Sequence, residues 1–141
     1  MSAPSVLVVD DDDTLRQFTA GFLADAGFAV AQAADGGAAL QAIGRDQPDA
    51  LVLDLEMPRL DGLQVLESVR SDPRYAPMAI LVLSGVDDRQ SIERCLELGA
   101  DGYVLKPFSA WELEARVRSA VRMIRYRAQA AQPGAVDGAV E

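Results

Sequence analysis

The chain has 141 residues, 50% of them hydrophobic and 25% charged, which suits one domain with a real core and excludes global disorder. It contains no His and a single Cys, Cys95, which excludes imidazole bases, His metal ligands, an internal disulfide and multi-Cys zinc sites. Its 13 basic and 22 acidic residues give a formal charge of −9, which disfavours non-specific nucleic-acid binding.

Ser5–Val9 (SVLVV) is a short apolar run of the kind that forms a strand covered on both faces. Leu15, Phe18, Phe22 and Ala26 then recur at three- and four-residue spacing, which predicts a helix, with Gly27 as its stop. Phe28–Ala33 reads as the second strand. The segment from Asp35 to Arg45, with Leu40 and Ile43, carries a shorter helical pattern. Ala50–Leu53 reads as the third strand, followed by a helix with Leu63, Leu66 and Val69 inward. Ala79–Leu83 reads as the fourth, followed by a helix with Ile92, Cys95 and Leu96 inward and Gly99 at its end. Cys95 on that stripe reads as core. Gly102–Leu105 is the last strand.

Ser109 to Glu112 has the pattern of a capping box and opens the final helix, whose inward stripe is Leu113, Val117, Val121 and Ile124. Glu112 and Glu114 begin it, and Arg116, Arg118, Arg122, Arg125 and Arg127 follow, a polarity that suits the helix dipole. Trp111 reads as a packing residue and the arginines as a solvated face. Five strand–helix alternations predict right-handed crossovers: an α/β, doubly wound, five-stranded parallel sheet with helices on both faces. Residues 1–127 read as one domain, and 128–141 as a flexible C-terminal tail or linker. No apolar run approaches the ~20 residues that cross a bilayer. Met1–Pro4 lacks the features of a secretory signal, so a cytoplasmic, membrane-free protein is expected.

In such a sheet ligands bind beyond the carboxyl ends of the strands. The first strand ends in Asp10-Asp11-Asp12-Asp13, the third in Asp54, the fourth in Ser84 and the fifth in Leu105-Lys106-Pro107. Asp12 and Asp13 stand where a helix cap is needed. Asp10 and Asp11 stand directly on the strand end. Carboxylates a few ångströms apart must share protons or hold a cation, and an all-oxygen set favours Mg²⁺. Asp54 follows buried-strand residues, where a carboxylate is costly unless paired or metal-bound. Lys106 is the one Lys among the 13 basic residues: a compact point charge in a chain that otherwise uses Arg. A carboxylate nucleophile, a hard cation, an ammonium and a hydroxyl suit phosphoryl transfer to an aspartate. The chain has neither G-x-G-x-x-G nor G-x-x-x-x-G-K, so the phosphoryl group must arrive on another carrier.

The blocks V-V-D-D at Val8–Asp11, L-V-L-D-L-E-M-P-x-x-D-G at Leu51–Gly62, L-S-G at Leu83–Gly85 and G-A-D-G-Y-V-L-K-P-F at Gly99–Phe108 resemble the receiver domain of bacterial response regulators. The resemblance runs from about Ser5 to Ile124. It implies a flavodoxin-like strand order, 2-1-3-4-5. It implies Asp54 as phosphoacceptor and Mg²⁺ held by Asp11, Asp54 and the Glu56 backbone carbonyl, with Asp10 acting through water. Ser84 and Lys106 would bind the phosphoryl group, Tyr103 would be an aromatic switch, and Glu56 and Val86 would tune phosphoryl lifetime. The Lys106–Pro107 bond would be cis. The donor would be a sensor histidine kinase or a histidine phosphotransfer protein. Such a domain is no enzyme beyond its own phosphorylation and dephosphorylation. The output would go to a downstream protein or a second copy, through the fourth helix, fifth strand and last helix, with no direct nucleic-acid contact.

Two other readings compete. Asp10–Thr14 also fits D-x-D-x-T, the first motif of the haloacid-dehalogenase-like phosphatases, which would make Asp10 and Asp12 the Mg²⁺-dependent catalytic pair. The helical pattern that starts at Leu15 leaves no place for the flap those enzymes carry. A receiver-like module that is never phosphorylated would need none of the acidic, hydroxyl and lysine groups.

Overall fold

A computed structural model describes residues 3–57 and 61–131. The elements in chain order are β1 (Ser5–Val9), α1 (Asp13–Asp25), β2 (Ala29–Ala33), α2 (Gly36–Arg45), β3 (Ala50–Asp54), α3 (Gly62–Arg70), β4 (Ala79–Ser84), α4 (Arg89–Glu97), β5 (Gly102–Leu105) and α5 (Ala110–Ala131). A short 3₁₀ turn at Pro73–Tyr75 links α3 to β4. All neighbouring strands are parallel, in the order β2-β1-β3-β4-β5.

The strands alternate sides. Val6 and Val8 face a core closed by α1 and α5, with Leu23, Val52, Leu81, Leu113, Val117 and Ile124. Leu7 and Val9 face the other core, with Ile43, Leu51, Leu66, Ile80 and Cys95 beneath α2, α3 and α4. Two covered faces explain why β1, β3 and β4 are apolar nearly throughout.

Aspartates start the helices. Asp12, Asp35, Asp61 and Asp88 each accept a backbone N–H in the first turn of α1, α2, α3 and α4. Asp61 and Gln64 form a full capping box. At α5 the Ser109 hydroxyl accepts the Glu112 N–H at 3.2 Å, the forward half of the box expected there. Gly27 and Gly99 end α1 and α4 with φ of 104° and 111°, a backbone region that costs other residues strain.

Several expectations need correction. β2 begins at Ala29; Phe28 is instead a buried core residue. In α1, Phe18 is 60% exposed, and the buried face is Thr19, Ala20 and Leu23. Small residues at 19 and 20 let the helix lie close on the sheet, which turns the large rings to its flank. There Phe18 and Phe22 meet edge to face at 5.4 Å. In α4 Cys95 is buried, Ile92 is half-buried and Leu96 is exposed. Trp111 is 75% exposed and does not pack. α5 runs to Ala131, through Ala and Gln, which are strong helix formers. The stretch from Gln132 onward lies outside the described residues. The arginines of α5 reach back onto the domain: Arg118 donates to the Ala26 carbonyl and lies 4.9 Å over the Phe28 ring, and Arg127 lies 3.7 Å from Asp101.

Candidate functional site

Register brings the strand ends together. Val9 pairs with Leu53, so Asp10 and Asp54 leave the sheet side by side. Asp54 pairs with Leu83 and Ser84 with Leu105, which places Ser84 between Asp54 and Lys106. Asp10 is 2% exposed, Asp54 2% and Ser84 0%, while Asp11 is exposed.

Asp10, Asp11 and Asp54 each offer a carboxylate oxygen, and these three oxygens lie within 4.8 Å of one another. Lys106 Nζ donates to Asp54 Oδ1 at 2.8 Å, and the Glu56 N–H approaches the same oxygen at 3.3 Å. The Lys106–Pro107 bond is cis. Asp10 Oδ1 accepts the Asp12 N–H at 3.0 Å, and Asp12 Oδ1 accepts the Leu15 N–H at 3.1 Å. Asp12 therefore serves as the cap of α1, and the helix follows at once. Gly62, at the start of α3, explains the D-G pair of the second block. A Cβ there would stand 2.5 Å from the Asp54 carbonyl oxygen and 2.6 Å from Leu55 Cα, so only glycine lets α3 approach the strand end this closely. Pro58, within that block, lies outside the described residues.

The charges are unbalanced. Burial, reinforced by the charge of Asp10, pushes the Asp54 carboxyl up to about 6, and the Lys106 ammonium opposes this without cancelling it. Desolvation works against the Lys106 charge, but Asp54, Glu56 and Asp10 outweigh it and hold the ammonium above its ordinary value. An anionic pocket of hard oxygens that favours a proton on Asp54 is one that gains from a cation. The donor set fits Mg²⁺ in chemistry and in spacing.

A hydrogen-bond chain runs outward from this edge. Glu56 Oε1 accepts from the Ser84 hydroxyl at 2.9 Å and from the Gly85 N–H at 2.8 Å. Ser84 Oγ accepts the Val86 N–H at 3.0 Å, and the Tyr103 hydroxyl donates to the Val86 carbonyl at 2.6 Å. Desolvation works against the Glu56 charge, but the Gly85 N–H and the Ser84 hydroxyl outweigh it and hold the carboxyl below the usual range. A pocket of about 210 Å³ beside this chain is lined by Leu63, Ser84, Val86, Cys95 and Tyr103 among others.

Every residue singled out in the sequence for this site lies at this edge or on that chain. One further side chain, Arg16, belongs to the site. Arg16 donates to the Asp10 carbonyl at 2.9 Å and pairs with Asp13 at 2.8 Å, steadying the acidic turn; its only sequence signal was the i,i+3 spacing from Asp13. The Glu56 carboxylate binds Ser84 and Gly85, a contact between residues 28 and 29 positions apart that no local pattern announces.

A family model described as the response regulator receiver domain matches residues 6–118. The transcriptional regulatory protein PrrA of Mycobacterium tuberculosis is 45% identical over 124 residues, which covers 86% of this chain and 52% of that protein. The response regulator MprA of Mycobacterium leprae is 45% identical over 117 residues, 83% of this chain and 50% of that protein. The chain thus spans about half the length of these curated relatives. Among solved structures, the chemotaxis protein CheY4 of Vibrio cholerae superposes with a TM-score of 0.80 at 30% identity, covering 84% of this chain and 99% of that one. The receiver domain of Francisella response regulator 1452 gives 0.80 at 34%, covering 85% and 98%.

Proposed function

Because the chain belongs to the response regulator receiver family, we propose that it works as a phosphorylation-operated switch in two-component signalling, with Asp54 as the phosphoacceptor. The observation that carries this reading is the pairing of a buried strand-end carboxylate with Lys106 at 2.8 Å beside two further carboxylates. In the transfer, an Asp54 oxygen attacks the phosphorus of a phosphohistidine on a sensor kinase or a histidine phosphotransfer protein. An O–P bond forms, the N–P bond breaks, and the imidazole nitrogen leaves with the electron pair. The product is an acyl phosphate.

Asp10, Asp11, Asp54 and the Glu56 carbonyl would hold Mg²⁺, which when bound supplies positive charge against the phosphoryl oxygens. Lys106 keeps its proton and brings a fixed ammonium to the same oxygens. The Ser84 hydroxyl donates to one of them. Drawing Ser84 inward pulls on the Val86 N–H and so on the carbonyl that holds Tyr103. Tyr103 then turns toward the pocket beside Cys95. Glu56 and Val86, at the mouth, govern the access of hydrolytic water and so the lifetime of the phosphoryl group.

The output face is formed by α4, β5 and α5. Val86, Leu96, Leu105 and Trp111 are exposed on or beside these elements, apolar surface suited to a downstream protein or a second copy. A partner that distinguishes the two states is regulated by population shift. Two relatives, about half of whose length this chain matches, are a transcriptional regulatory protein and a response regulator. In a protein of that plan the face would act on the other half, and a chain of charge −9 would not itself seek DNA. Among the described residues no helix is long and apolar enough to cross a membrane, in keeping with a cytoplasmic partner kinase domain.

The test is chemical. The chain is incubated with acetyl phosphate and Mg²⁺, the acyl phosphate is reduced with borohydride, and the modified peptide is mapped. Label at Asp54, absent from the Asp54→Asn variant, is the expected result. Label at Asp10 or Asp12 would sink the proposal in favour of the phosphatase reading.

A further inference from the structure

The Glu56 side chain is exposed and leaves the end of β3 two residues after Asp54. Its carboxylate is held across the end of β4 by the Ser84 hydroxyl and the Gly85 N–H, at 2.9 and 2.8 Å. A hydroxyl has one proton, so the Ser84 O–H committed to Glu56 is not free for another acceptor. Nor is its oxygen idle, since it accepts the Val86 N–H at 3.0 Å. A Cβ at position 85 would make only ordinary contact with Glu56 Oε1, at 3.7 Å. Asp54 and Ser84 end adjacent strands, so anionic oxygens attached to Asp54 would call on the same two donors.

We infer that Glu56 is a positioning residue whose carboxylate stands in for the phosphoryl group in the resting chain, occupying the Ser84 O–H and the Gly85 N–H, and that the phosphoryl group reaches these donors only by displacing it. The inference rests on the reading of Asp54 as phosphoacceptor and adds a competitor to it. It differs from simple repulsion between two anions. Repulsion depends on the charge at position 56, whereas displacement depends on the acceptor oxygen. Phosphorylation exchanges one anionic acceptor for another, and the Val86–Tyr103 arm moves when Ser84 changes partner.

The two cases separate in the intact chain with beryllofluoride and Mg²⁺ as the probe, followed by amide NMR of Gly85 and Val86. Glu56→Gln removes the charge but keeps a carbonyl acceptor, and Glu56→Ala removes both. Charge-assisted bonds are the stronger kind, so the Ala variant is expected to bind the probe about tenfold more tightly than wild type. It should also bind several-fold more tightly than the Gln variant. In the probe-free Ala variant the Gly85 amide proton should move upfield, while in the Gln variant it should stay near its wild-type position. Equal affinities for the Ala and Gln variants would overturn the displacement, as would a Gly85 amide that does not move in the Ala variant. Failure of the wild-type chain to bind the probe would instead overturn the phosphoacceptor reading, and this inference with it.

Discussion

Lys106 Nζ lies 2.8 Å from Asp54 Oδ1, joining the end of β5 to the end of β3 across β4. The ammonium is thereby fixed among carboxylates it does not fully neutralise, and the consequences of that imbalance can be measured.

The first concerns pH. With Asp54 pushed up to about 6, against ~4 for an exposed carboxyl, the folded chain holds a proton in that window that the unfolded chain has released. Stability therefore falls as pH rises from about 4 to about 6, and the full cost remains above. Removing the charge should recover it. In Mg²⁺-free buffer at pH 7, Asp54→Asn is expected to be more stable than wild type by about 2–3 kcal/mol. Urea titrations across pH should show the gap closing toward pH 4. A gap that does not vary with pH would contradict the assignment of the burden to Asp54.

The second concerns the metal. Asp11→Asn deletes one of three carboxylates whose oxygens lie within 4.8 Å. Mg²⁺ affinity measured by calorimetry at pH 7 should fall at least about tenfold, roughly the loss of one charge-assisted contact. Wild-type affinity should itself drop as pH is lowered through 6, as protons compete for Asp54. Unchanged Mg²⁺ binding in the variant would refute the site.

The third concerns the lone lysine. Lys106→Arg keeps the charge but replaces a point donor with a planar fork that can engage both oxygens of Asp54. Beryllofluoride should then leave the amides of residues 102–105 close to their unliganded positions, although wild type shows clear shifts there. Wild-type shifts in the variant would mean that charge alone is sufficient.

The fourth lies at the opposite edge of the sheet. The Arg70 guanidinium donates to the carbonyls of Gly99, Tyr75 and Met78 at 2.8, 3.0 and 2.7 Å, and to Asp101 at 2.9 Å. Asp101 also accepts the Ile80 N–H at 2.8 Å. Arg70→Ala would take the guanidinium from Asp101, which keeps the Ile80 N–H and Arg127, and one donor from each of three carbonyls, for which a loss of about 1–3 kcal/mol is expected. Denaturant midpoints would register it, and phosphorylation of Asp54 under native conditions should be unaffected.

Sequence and structure agree best where topology does the work. Alternating strands and helices force a parallel sheet, and a parallel sheet collects Asp10, Asp54, Ser84 and Lys106 at one edge whatever their distance along the chain. Periodicity served less well where small residues blur it. In α1 the stripe of Leu15, Phe18, Phe22 and Ala26 is only partly inward: Phe22 and Ala26 pack against the core, Phe18 is exposed, and Ala20 and Leu23 take the closest approach to the sheet. Side-chain partners across long separations left no trace in the pattern: neither Glu56 reaching Ser84 nor Arg70 reaching Asp101 could be read from spacing. Trp111 is exposed although its size favours packing, because residue type alone does not fix environment.

The Arg70 cluster ties to β4 near its start, at Ile80, and the acidic edge begins where β4 ends, at Ser84. Four residues at ~3.3 Å each put roughly 13 Å of rigid strand between them, beyond the range over which substitutions usually couple. The domain can therefore be hardened or softened from one rim without retuning the other. Changes around Arg70 and Asp101 would set how long the fold survives heat, while changes around Glu56 and Ser84 would set how long a signal lasts, and the two properties could drift apart freely between descendants of one gene.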